Sequence, residues 1–157
     1  MDRRKFLRNG LKGTAAYALL GSTISGSQAA AARGGAISKP VTENEVEHLM
    51  YMREEEKLAR DVYLTMYDTW GLEVCYTIAE SERVHTEAVR AKIDKYALVD
   101  PVIDDTVGAF INQDIALLYD TLVDQGKMSE LDALFVGGAI EEIDMIDIQR
   151  AIDEAEH

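Results

Sequence analysis

From Thr42 onward, stretches in which apolar residues recur every three or four positions alternate with short breaks rich in Gly, Asp and Ser. That spacing is the period of a helix, and no period-two alternation persists, so the pattern predicts four helices and no strand. The first opens at Thr42-Glu43-Asn44-Glu45, a capping box in which the Thr hydroxyl and the Glu45 carboxylate satisfy free backbone N–H groups. It runs to about Trp70, where Gly71 can take the left-handed cap conformation. A second helix covers about Glu73 to Tyr96, and a third starts near Phe110 and stops before Gly126. Ser129-x-x-Asp132 caps a fourth, which runs to near the C-terminus. Only a few residues join helices one and two, or three and four, which makes each pair antiparallel. The 13 residues from Ala97 to Ala109 carry turn signals at Asp100-Pro101 and Asp104-Asp105. Extended at ~3.3 Å per residue they reach ~40 Å, against ~36 Å for a helix of about 24 residues. The link therefore permits a crossover along the length of a bundle, and equally a slack loop.

Each residue advances about 100° around a helix axis, so the apolar face of each helix can be located by counting. In the second helix Cys75, Ile78, Val89, Ile93 and Tyr96 form one stripe, and Glu82 and His85 fall within about 40° of its centre. Glu80 and Glu87 lie on the opposite side. In the first helix Tyr51, Met52, Leu58, Ala59, Val62, Met66 and Trp70 define the inner face. Glu55 sits at its middle, Glu56 at its edge and Glu54 outside it, so Glu54 and Glu56 are the alternatives if the helix is rotated. Ile111, Ile115, Leu118 and Leu122 mark the inner face of the third helix, with Asp114 on it. Leu134, Gly137, Met145, Ile148 and Ile152 do so in the fourth, with Glu141 at the centre and Asp144 towards one edge. Folding the first pair about residue 70 sets Glu55 opposite Glu82 and His85, and folding the second about residue 127 sets Asp114 opposite Glu141. Buried carboxylates are costly unless protonated or paired with cations. Five of them with one imidazole point to hard, oxygen-rich sites with a nitrogen ligand, which suit iron or manganese. The plain alternative is that several of these residues are partly exposed or solvated.

Composition changes the picture in two places. The chain has 157 residues, 16 basic and 29 acidic, enough for one domain with a substantial core. Residues 1–32 begin with Arg3-Arg4-Lys5-Phe6-Leu7, continue in a weakly apolar Gly/Ala/Leu stretch and end in small residues near Ala30 to Ala32. This resembles a twin-arginine export signal, with a short membrane anchor or basic tail as the alternative. Residues 33–40 then form a linker and 41–157 the helical domain. Removal of the leader leaves 11 basic against 28 acidic side chains, a net charge of about −17. Such a domain repels nucleic acid and anionic lipid, and the leader implies a periplasmic or extracellular location with no membrane association after cleavage. Cys75 is the single cysteine, so no intrachain disulfide can form.

The stretches "YMREEEKLARDVY", "IAESERVHTEAV", "LYDTLVDQG" and "DALFVGGAIEEIDMIDI" resemble the ferritin-like di-iron carboxylate superfamily. Within it they look like an uncharacterised prokaryotic family, a domain of unknown function. The superfamily pattern is a Glu from each of two helices and a Glu-x-x-His from each of the other two. The resemblance implies an all-α, ferritin-like antiparallel four-helix bundle with a crossover between helices two and three. It also implies a centre of two Fe (or Mn) ions. Position by position, the metal ligands it implies are Glu55, Glu82, His85, Asp114, Glu141 and Asp144, with Glu82 and Asp114 bridging. Asp144 stands where a second His is usual, and Asp114 is a methylene shorter than the usual Glu, which favours a harder, less iron-selective site. The functions this implies are redox chemistry with oxygen or peroxide, or non-catalytic metal binding or storage. A metal-free helical interaction module is the third reading. A second apolar stripe on the fourth helix, Phe135, Val136, Ala139, Ile143 and Ile146, offers a face for a homodimer or for a neighbouring helix.

Overall fold

A computed structural model of the chain describes residues 42–155, all helical or irregular, with four helices and no strand among them. The leader and linker read in residues 1–40 lie outside the described residues. The helices are α1 (Glu43–Trp70), α2 (Glu73–Lys95), α3 (Gln113–Gly126) and α4 (Glu130–Ala155). Thr42 caps α1 through the predicted capping box: Glu45 N–H donates to Thr42 Oγ1 at 3.2 Å, and Thr42 N–H donates to Glu45 Oε2 at 2.7 Å. Gly71 ends α1 at φ 68°, a left-handed geometry that glycine adopts without strain.

α1 is the hub. It packs against α2, α3 and α4, α3 packs against α4, and α2 has little direct packing on α4. The core gathers Leu58, Ala59, Val62, Tyr63 and Met66 of α1, Cys75 and Ala79 of α2, Ile115 and Leu122 of α3, and Ala133, Val136 and Ile140 of α4. Three α1 residues with opposite partners fix the direction of α3. Glu54 accepts from the backbone of Asn112, Thr65 hydrogen-bonds Tyr119, and Trp70 Nε1 donates to Gly126 O at 3.0 Å. α3 therefore runs parallel to α1, while α2 and α4 run antiparallel to it.

This order corrects the expected crossover. The link from α2 to α3 meets α1 at Arg53 through Asp100, advances to Lys57, Arg60 and Asp61, and returns to Glu54 through Ile111 and Asn112. It folds back at one end of the helices instead of traversing them. Anchoring Ile111 and Asn112 to Glu54 also delays α3, which begins at Gln113 and not near Phe110.

The face of α4 is turned from the one expected. Ala133, Val136 and Ile140 are buried, whereas Leu134 and Met145 are exposed, as are Leu131 and Phe135. The side chains of Ile148 and Ile152 lie outside the described residues. Of the second stripe, Val136 is buried against the core while Phe135 and Ile146 are exposed. Among the described residues no helix is long and apolar enough to cross a membrane.

Candidate metal centre

Glu82 and His85 occupy one face of α2, three residues apart. Glu82 is buried and His85 is half exposed, at 49% of its side chain, so the pair spans from the interior to the edge. His85 Nδ1 lies 3.0 Å from Glu82 Oε2 and 3.5 Å from Glu56 Oε2 of α1. Ligand atoms of Glu56, Glu82 and His85 all lie within 4.8 Å of one another. This is the spacing of donors that can share one ion.

Two carboxylates of α4 stand beside this group. Burial pushes the Glu56 carboxyl up from its ordinary 4.5 to about 9, and the charges of Asp144, Glu82 and Glu141 and a hydrogen bond with Glu82 add to the rise. Tyr63 of α1 donates its phenol proton to Glu141 Oε1 at 2.8 Å. Burial raises the Tyr63 pKa, and its hydrogen bond with Glu141 and the charges of Glu141, Glu82 and Asp144 push the same way. Three helices thus contribute acids to one place, and burial together with this crowding holds a proton on Glu56 at neutral pH when no cation is present.

Of the six residues expected, the structure brings Glu82 and His85 into the group of converging ligand atoms, while Glu141 and Asp144 stand near enough for their charges to act on Glu56. Glu55 is buried, at 9% exposure, but Glu56 is the α1 acid whose oxygen converges with Glu82 and His85. α1 is rotated towards the Glu56 alternative because its inner face spans Met52, Glu56, Ala59 and Tyr63. Asp114 is exposed in the first turn of α3, where Asn112 Oδ1 accepts from its backbone N–H. The late start of α3 puts it beside the cap, away from the group.

Sequence counting missed Tyr63. The spacing does carry the signal, since seven residues make nearly two turns and set Tyr63 on the same face as Glu56. It also placed Glu54 outside the inner face. Glu54 is buried and accepts the N–H groups of Ile111 at 2.5 Å and Asn112 at 2.9 Å.

An all-helical domain with a carboxylate–imidazole group between its helices is thus the class of protein that fold and site define. The chain belongs to the family described as an uncharacterized protein domain, DUF2202, which matches residues 45–157. It is 47% identical over 119 residues to the uncharacterized protein MJ0754 of Methanocaldococcus jannaschii. That match covers 76% of this chain and 64% of the relative, so the chain spans under two thirds of the relative's length. The crystal structure of the hypothetical protein MJ0754 superposes with a TM-score of 0.73 at 46% identity, covering 77% of this chain and 69% of that one.

Proposed function

We propose that the chain is a four-helix-bundle metalloprotein that binds two divalent ions, iron or manganese, for redox chemistry with oxygen or peroxide. The convergence of Glu56, Glu82 and His85 within 4.8 Å carries this reading. Two carboxylate oxygens and one imidazole nitrogen suit Fe(II) or Mn(II). Glu56, Glu82 and His85 would hold one ion. Glu141 and Asp144, with an oxygen shared from Glu56 or Glu82, would hold the other. Two divalent ions also balance the four negative charges of these carboxylates when all are ionised. A bound redox-active ion supplies electron exchange with a small oxidant.

The chain's own residues set the access and the protonation. The exposed edge at His85 leaves a route from solvent, and the buried Glu82 carboxylate holds the His85 ring through the contact at Nδ1. Loading the site displaces the proton that Glu56 keeps in the metal-free protein, so binding is coupled to pH. The donor set resembles that of ferritin-like di-iron proteins, while the helix order found here lacks their full-length crossover; the likeness therefore rests on the donors. The leader read in residues 1–32 would place this chemistry outside the cytoplasm. A metal store would use the same donors, and the acidic surface that attracts cations favours it as the second reading.

Metal analysis of the purified protein after anaerobic loading tests the proposal. We expect about two equivalents of Fe or Mn, lost in Glu82→Ala/His85→Ala. Less than about half an equivalent, unchanged by the double substitution, overturns it. Oxygen or peroxide consumption on adding Fe(II) then separates the two readings: repeated turnover marks an enzyme, and a single burst with retained iron marks a store.

A further inference from the structure

We propose that Tyr63 is a positioning residue that commits one oxygen of Glu141 to a hydrogen bond and leaves the other for metal, and that Gly137 is the seat for its ring. The inference rests on the metal reading given above. Tyr63 is 2% exposed and sits on α1, opposite α4. Its hydroxyl lies 2.8 Å from Glu141 Oε1 and 3.2 Å from Gly137 O. A phenol has one proton, and the shorter approach assigns it to the carboxylate.

Without this bond Glu141 is a long side chain on an exposed position of a helix that packs little on α2. Tyrosine has two side-chain torsions and a ring fixed by packing, so it holds the carboxylate at small entropic cost. Groups that orient a ligand from behind in this way commonly change metal affinity 10–100-fold when removed.

Gly137 supplies the second, independent observation. Glycine is among the least favourable residues for a helix interior, yet α4 carries two in succession. A Cβ at Gly137 would meet Tyr63 Cε1 at 3.0 Å and Tyr63 Oη at 3.2 Å. A Cβ at Gly138 would meet nothing within 4 Å. Gly137 therefore lets the ring reach Glu141, while its neighbour has no such task and serves as an internal control.

The test is titration of the metal-free full-length chain with Mn(II), followed by electron paramagnetic resonance and by counts of bound metal. Wild type is expected to take up two ions and show a coupled pair. Tyr63→Phe keeps the ring and should leave the first affinity within about threefold while weakening the second by about 10–100-fold, with loss of the coupled signal. Gly137→Ala should reproduce that pattern with both polar groups intact, and Gly138→Ala should match wild type. Two unchanged affinities in Tyr63→Phe, or equal loss of both, overturn the inference while leaving the metal reading standing. Absence of metal from wild type overturns both. If Tyr63→Phe fails to fold, the contrast between Gly137→Ala and Gly138→Ala decides, and identical titrations there overturn the inference.

Discussion

Glu54, Glu55 and Glu56 are consecutive acids in three different places. Glu54 accepts two backbone N–H groups of the link, Glu55 lies buried, and Glu56 converges with Glu82 and His85. Counting around the helix could show that one of them points to the site, since they differ by about 100° each. It could not choose between Glu55 and Glu56, because nearly every position from Met52 to Tyr63 is buried and no solvent face fixes the rotation. In α2, where Glu80, Ser81 and Glu87 mark the outer side, the inward direction of Glu82 was legible. The environment of Glu56 has a pH signature. It is faced by Glu82 and His85 from α2 and by Glu141 and Asp144 from α4, and its carboxyl is held at about 9 instead of 4.5. Between those values the folded, metal-free protein keeps a proton that the unfolded chain has lost. Its stability therefore declines as pH rises from about 4.5 and levels off above about 9. Urea denaturation of the metal-free protein from about pH 5 to about pH 9 should show this slope, and Glu56→Gln should flatten it. Parallel slopes in the two proteins would remove Glu56 as the cause.

At the scale of elements, the ends of α1 were readable because local chemistry sets them, a capping box at Thr42 and a left-handed glycine at 71. The start of α3 at the Asn112 cap was not, because Glu54 holds the N–H groups of Ile111 and Asn112. The link was not readable, because a contour of ~40 Å sets only an upper limit on how far a chain travels. What holds it in place is the polar face of α1. Arg53, Glu54, Lys57, Arg60 and Asp61 recur at helical spacing, as a solvated face does, but all are buried under the link. Arg53 bridges Asp100 of the link and Thr86 of α2. Lys57 donates to Thr106 O at 2.9 Å and pairs with Asp61, which also accepts from Arg60 and from Gly108 N–H. The network is asymmetric, so its members should differ in cost. Asp61→Asn leaves the fully buried Lys57 ammonium without its anion and should cost about 3–5 kcal/mol. Lys57→Met leaves Asp61 with Arg60 and the Gly108 N–H and should cost about 1–2 kcal/mol. Chemical denaturation at neutral pH measures both, and a larger loss for Lys57→Met would show that the pair is held chiefly from the lysine side. Gly71→Ala tests the cap in isolation. A Cβ there meets nothing within 4 Å, so its cost should be the left-handed strain alone, about 1–2 kcal/mol by the same measurement.

For the whole molecule, the placement of the acids matters more than their number. α2 brings Glu82 and His85, α4 brings Glu141 and Asp144, and these two helices barely pack on each other; each is held mainly through α1. The carboxylates also repel, which adds to burial in keeping a proton on Glu56. In the metal-free state the α2–α4 side of the molecule therefore combines like charges with few apolar contacts between the two helices. Such regions open locally at low free energy. Ions bound between these carboxylates would reverse the sign of that interaction and tie α2 to α4, leaving α3, which supplies no ligand to the group, nearly untouched. Amide hydrogen exchange should register the difference by location. With saturating Mn(II), protection should rise around Glu82–Thr86 and Gly137–Glu142 and stay level across Ile115–Val123. At a metal concentration about 100 times the dissociation constant, the global stability should rise by about 2.7 kcal/mol for each ion bound. A rise of that size spread evenly over all four helices would locate the ions away from the α2–α4 side. No rise, with Glu82→Ala/His85→Ala exchanging like wild type, would mean that the repulsion at Glu56 is relieved by protonation alone.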